Sequence, residues 1–75
     1  MTKILIVEDE EIIRNALSKL LTRNHYDVEQ AASVKEAMTN DVSKFNLIIS
    51  DLRLPGAPGT DLIKLAGATP VLIMT

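Results

Sequence analysis

The chain has 75 residues, 47% of them hydrophobic and 24% charged, and a net charge of -2 at pH 7. That length holds one domain with a modest core, and the composition is that of a globular chain rather than a disordered tail. The lack of cysteine excludes a disulfide framework and thiolate chemistry, and with a single histidine, His25, a zinc centre is not expected. There is no dense Lys/Arg cluster for nucleic acid and no apolar stretch of membrane-spanning length.

Met1-Thr2-Lys3 leads straight into the first apolar run, Ile4 to Val7, and then into acids, without the apolar length or cleavage site of a signal peptide; a cytoplasmic chain is expected. Ile4 to Val7 is apolar at consecutive positions, as are Leu47 to Ile49 and Val71 to Met74. Strands covered on both faces have this pattern, which is that of a parallel sheet. Ile13, Ala16, Leu17, Leu20 and Leu21 recur at helical spacing, with Arg14, Asn15, Ser18 and Lys19 mostly opposite, predicting an amphipathic helix that closes near Arg23-Asn24. Tyr26 to Ala31 mixes Val28 with Glu29 and Gln30 and is expected as an edge strand. Ser33-Val34-Lys35-Glu36 has capping-box spacing and starts a short helix whose apolar side is Val34, Ala37 and Met38. A third helix is expected over Asp61 to Ala66, ended by Gly67, before Thr69-Pro70 restarts the chain as strand.

Strands alternating with helices predict an α/β fold with a parallel sheet, and helical crossovers point all four strands the same way. Their carboxyl ends then share one edge, where ligands bind in open α/β sheets. Glu8-Asp9 follows the first strand, with Glu10 and Glu11 after it; Asp51 follows Leu47 to Ile49; Thr75 ends the last strand. If the first and third strands are neighbours, roughly 4.8 Å apart, Glu8, Asp9 and Asp51 converge. Such carboxylates repel, and a hard divalent cation such as magnesium would relieve them. Plainer roles also fit: acids before a helix favour its dipole, the preferred reading for Glu10 and Glu11. Asp51 can be a turn former before Leu54-Pro55-Gly56. Thr75 alone is ordinary strand composition, His25 is expected in an exposed loop, and Met38 and Met74 as core filler.

Together these segments resemble the receiver domain of bacterial two-component response regulators. Ile4-Leu5-Ile6-Val7-Glu8-Asp9 is similar to its first strand and acidic pair. Leu47-Ile48-Ile49-Ser50-Asp51-Leu52-Arg53-Leu54-Pro55 is similar to its phosphoacceptor strand, with Gly59 eight residues after the aspartate. Pro70 to Thr75 is similar to its fourth strand. The resemblance implies a flavodoxin-like sheet in the order 2-1-3-4. It implies that Asp51 accepts a phosphoryl group from a histidine kinase or phosphotransfer protein, and that Thr75 is the switch hydroxyl. Mg2+ would be held by Asp51, by Asp9 directly, by Glu8 through water and by the backbone carbonyl of Arg53, and an output domain, transcriptional in kind, would be controlled. Such a module assists its own phosphorylation and is not otherwise an enzyme.

Two departures from the family are visible. Glu8 stands where most members have aspartate, and the chain ends at Thr75, so residues 1–75 are expected as a partial receiver lacking the fourth helix, fifth strand and fifth helix. With those missing, the apolar Val71–Met74 strand would be an unguarded edge and the first helix alone on its face. Self-association, as a two-fold dimer, is therefore expected. The alternatives are a structural module of the same fold that is never phosphorylated, and a magnesium-dependent phosphatase forming an aspartyl-phosphate. The latter is disfavoured because Arg53 occupies the position where those enzymes need a second aspartate.

Overall fold

The computed structural model describes residues 2–37, 39, 41–51 and 67–74. Strand β1 is Lys3–Val7, helix α1 Glu11–Arg23, β2 Asp27–Ala31, α2 Val34–Ala37, β3 Leu47–Asp51 and β4 Val71–Met74, with a short 3₁₀ turn at Val42–Lys44 before β3. The four strands form one sheet in the order β2-β1-β3-β4, and every neighbouring pair is parallel. This is the flavodoxin-like arrangement expected from the sequence. The expected third helix, Asp61 to Ala66, lies outside the described residues.

Both faces of the sheet carry apolar layers, which is why its strands are apolar at consecutive positions. Successive side chains point to opposite faces. Leu5, Val7 and Ile48 therefore pack with Ala31, Val34, Ala37 and Phe45 on the α2 side. Ile4, Ile6 and Ile49 pack on the other side against Leu17 and Leu21 of α1, together with Val28, Leu47 and Met74. The coverage by α1 is partial: Ile13 and Leu20, expected on its buried face, are 45% and 55% exposed. A single helix is only about 10 Å wide and cannot cover strands spaced about 4.8 Å apart across the whole sheet.

Local hydrogen bonds fix where the elements begin and end. The Ser33 hydroxyl accepts from the Glu36 amide at 3.1 Å, and the Glu36 carboxylate accepts from the Ala32 amide at 3.1 Å. This is a capping box in which the acid reaches one residue beyond the usual partner. At the end of α1, the His25 amide donates to the Thr22 carbonyl (3.1 Å) and the Tyr26 amide to that of Leu21 (3.2 Å), with His25 at φ 68°. That pattern is a Schellman motif, and it commits Tyr26 to the helix end, so β2 starts at Asp27 rather than Tyr26. The 3₁₀ turn, not expected from the sequence, is opened by the Asp41 side chain accepting from the Ser43 amide. The Lys3 amide donates to Asn46 Oδ1 (2.8 Å) and the Asn46 amide to the Lys3 carbonyl (2.7 Å), locking β3 beside β1 at their starts.

Candidate functional site

The pairing of β1 with β3 sets Val7 against Ser50, so one further step brings Glu8 level with Asp51. The alternation that puts Ile4 and Ile6 on the α1 face puts Glu8 there too, and Asp51 follows Ile49 onto the same face. The Glu8 amide donates to the Ala31 carbonyl at 3.0 Å, so the backbone remains strand-like for one residue past β1. Asp9 comes next, at the approach to α1. One carboxylate oxygen from each of Glu8, Asp9 and Asp51 lies within 4.8 Å of the others. Asp51 thus ends its strand where it meets the two acids that end the neighbouring one.

The three acids differ in environment. Glu8 is 2% exposed, Asp51 is half-buried and Asp9 is exposed. Burial pushes the Glu8 carboxyl up to about 7, aided by a hydrogen bond with the Asp51 carboxyl and by the negative charges of Asp51 and Asp9; a hydrogen bond with the Glu10 backbone opposes this. Glu8 Oε2 is buried without a hydrogen-bond partner. A buried carboxylate oxygen in that position calls for a proton or a cation with its water. Glu8 and Asp51, with Ile13 and Met74, line a cleft of about 220 Å³ that opens between β1, β3 and β4 beside α1.

The donor set is all oxygen. It fits a hard divalent ion such as Mg2+, which takes one or two carboxylates and keeps several waters, and it offers nothing to a thiolate- or imidazole-seeking metal. His25, the single histidine, lies in the turn leading into β2, at the opposite edge of the sheet. Glu10 caps α1 without a side-chain hydrogen bond to its amides, and Glu11 occupies the first turn. Both are exposed, consistent with their reading as helix-start acids. Arg53, Thr75 and the Pro55–Gly59 loop lie outside the described residues. Arg14 was not among the sequence candidates: its Nη1 donates to the Glu8 carbonyl at 2.8 Å. Its position six residues after Glu8, in the first turn of a helix that starts at the strand end, is the signal that could have found it.

A family model described as "Response regulator receiver domain" matches residues 4–75. The chain is 36% identical over 78 residues to the transcriptional regulatory protein ResD of Bacillus subtilis, covering 99% of this chain and 32% of ResD. It is 37% identical over 82 residues to the response regulator ArlR of Staphylococcus haemolyticus, covering 100% of this chain and 36% of ArlR. It therefore spans about a third of the length of these curated relatives. Among solved structures, the non-phosphorylated HemR receiver domain from Leptospira biflexa superposes with a TM-score of 0.86 at 33% identity, covering 97% of this chain and 63% of that one. The chemotaxis response regulator CheY4 of Vibrio cholerae gives 0.87 at 32% identity, covering 97% of this chain and 67% of that one.

Proposed function

The chain belongs to the response regulator receiver domain family of two-component systems, and from that premise we propose that Asp51 is the phosphoacceptor of a partial receiver formed by residues 1–75. The observation that carries this reading is the convergence of Glu8, Asp9 and Asp51 from two adjacent parallel strand ends. An Asp51 carboxylate oxygen attacks the phosphorus of a phosphohistidine on a kinase or phosphotransfer protein. A P–O bond forms, the P–N bond breaks, and the departing imidazole retains the electron pair.

Asp9 and Asp51 would hold Mg2+ directly, Glu8 through water, and Arg53 by its backbone carbonyl. When bound, the ion supplies positive charge that offsets the crowding of carboxylate and phosphoryl oxygens. Glu8, with its carboxyl sharing a hydrogen bond with that of Asp51, would hold a proton at this edge below about pH 7 when no cation is present. Ile13 and Met74, lining the cleft, limit the water around the Asp51 carboxylate. Thr75 is assigned the role of hydrogen-bonding the transferred group.

The same reading assigns a histidine kinase as donor, an output domain in the parent protein with transcription as its target, a cytoplasmic location and no activity beyond assisting its own phosphorylation. Among the described residues no helix is long and apolar enough to cross a membrane. It also assigns self-association to the 75-residue chain, through β4 and the sheet face beside it. Incubation with a small phosphodonor such as acetyl phosphate and Mg2+ tests the phosphoacceptor. Hydroxylamine-sensitive phosphorylation is expected in the unsubstituted chain and none in Asp51→Asn; full labelling of Asp51→Asn would show the assignment to be wrong.

A further inference from the structure

Arg14 lies in the first turn of α1, on the side opposite the apolar stripe, yet it is not fully exposed and its side chain turns back toward the sheet. Nη1 donates to the Glu8 carbonyl at 2.8 Å and Nε donates to Oε1 of Gln30 at 3.2 Å. Its own amide donates to the Glu10 carbonyl at 2.9 Å. One residue therefore joins the start of α1, the end of β2 and the peptide between Glu8 and Asp9. That peptide is planar, so holding its carbonyl oxygen fixes the plane from which both acidic residues depart. The Glu8 amide is held separately by the Ala31 carbonyl at 3.0 Å. The Glu8 backbone is thus gripped on both sides, and β2 supplies an anchor for each grip.

We propose that Arg14 is a positioning residue for the acidic site: by clamping the Glu8 carbonyl against Gln30, it sets the orientation of the Glu8–Asp9 peptide and hence the approach of those two carboxylates to Asp51. This rests on the reading of Glu8, Asp9 and Asp51 as one cation site. The guanidinium touches a backbone oxygen and a neutral amide, so it acts through the backbone and not by neutralising a carboxylate. Position and charge then predict opposite signs. Removing a nearby positive charge would by Coulomb's law alone tighten the binding of a cation. Releasing the clamp would weaken it, because acids free to move apart under their own repulsion must be gathered again on binding.

The test uses the 75-residue chain with Arg14→Gln and Arg14→Lys, reading Mg2+ affinity from amide shifts and amide hydrogen exchange residue by residue. Arg14→Gln is expected to bind Mg2+ about fivefold more weakly and to speed exchange of the Glu8 and Asp9 amides about tenfold, with Ile6 and Ile49 unchanged. Arg14→Lys should recover part of both effects, since an ammonium can reach the Glu8 carbonyl but not hold Gln30 as well. Equal or tighter Mg2+ binding by Arg14→Gln overturns the positioning role alone. Equal acceleration at Ile6 and Ile49 also overturns it, because that is a general loss of stability. If the unsubstituted chain binds no Mg2+, the cation reading itself fails and the proposal falls with it.

Discussion

Glu8 is the residue whose environment and charge are most at odds. It is 2% exposed, its Oε2 has no hydrogen-bond partner, and its carboxyl is pushed from 4.5 up to about 7 by burial first and by Asp51 second. A carboxyl that binds its proton more tightly when folded contributes stability that is complete below its unfolded value. That stability is lost as pH rises through the folded one. In metal-free buffer, stability should therefore fall between about pH 4.5 and about pH 7 and level off above, by roughly 3 kcal/mol. Glu8→Gln should flatten that slope in denaturant melts taken across the range, and saturating Mg2+ should reduce it by favouring the ionised form. An unchanged slope in Glu8→Gln would mean that another group is responsible. Strand-end positions already predicted that Glu8, Asp9 and Asp51 converge if the first and third strands are neighbours, which the pairing of β1 with β3 bears out. The depth of Glu8 could not be read from the sequence, because it depends on the Ala31 carbonyl continuing the ladder past Val7.

At the level of elements, three of the strands could be read from consecutive apolar runs and the sheet order followed from the family resemblance, but boundaries answered to hydrogen bonds that no run reveals. Strand β3 continues through Ser50 and Asp51 because the ladder pairs Asp51 with Met74 and Ser50 with both Val7 and Ile73. The buried Ser50 hydroxyl, donating to the Asp51 carbonyl at 3.1 Å, makes a polar residue tolerable there. Helix α1 ends on His25 in the left-handed region, where a side chain on Cβ is strained and glycine is not. His25→Gly should therefore stabilise the chain by about 0.5–1 kcal/mol, as strain relief exceeds the added unfolded entropy. Equilibrium urea unfolding would register a higher midpoint at constant slope. A loss of stability would show that the histidine ring makes a contact worth more than the strain. The capping box was legible as Ser33 and Glu36, whereas the Asp41–Ser43 turn needed the three-dimensional path into β3 to be recognised.

At the scale of the whole molecule, the sheet is unevenly covered by the described residues. Leu72 is 54% exposed on the same face as Met74, beyond the reach of α1, and among the described residues β4 is paired along one side only, by β3. The other edge, β2, carries Asp27 and Glu29 in ion pairs with Lys3, and Glu29 in a further pair with Lys44, which guards it against pairing with another strand. An apolar edge beside an exposed apolar face is a surface for a second copy. The 75-residue chain should melt at a temperature that rises with concentration, and Leu72→Lys should shift sedimentation equilibrium toward monomer. A folded monomer at all concentrations would refute this. Helix α1 shows why the sequence alone overstates coverage: its apolar stripe includes Ile13 and Leu20, but periodicity reports which side of a helix is apolar and not how much sheet lies beneath it.

In the proposed function Glu8, Asp9 and Asp51, delivered by neighbouring strand ends, act as one cation-binding site at which Asp51 receives a phosphoryl group. Titrating Mg2+ into the isotopically labelled chain and following every backbone amide tests this most directly. Saturable shifts centred on residues 8, 9 and 51 are expected, with a dissociation constant on the order of 1 mM because few carboxylates contribute. Amides of Glu29 and Lys44, at the far edge, should not move. Shifts absent at the three acids in a folded chain, or spread evenly over all acidic residues, would contradict the claim.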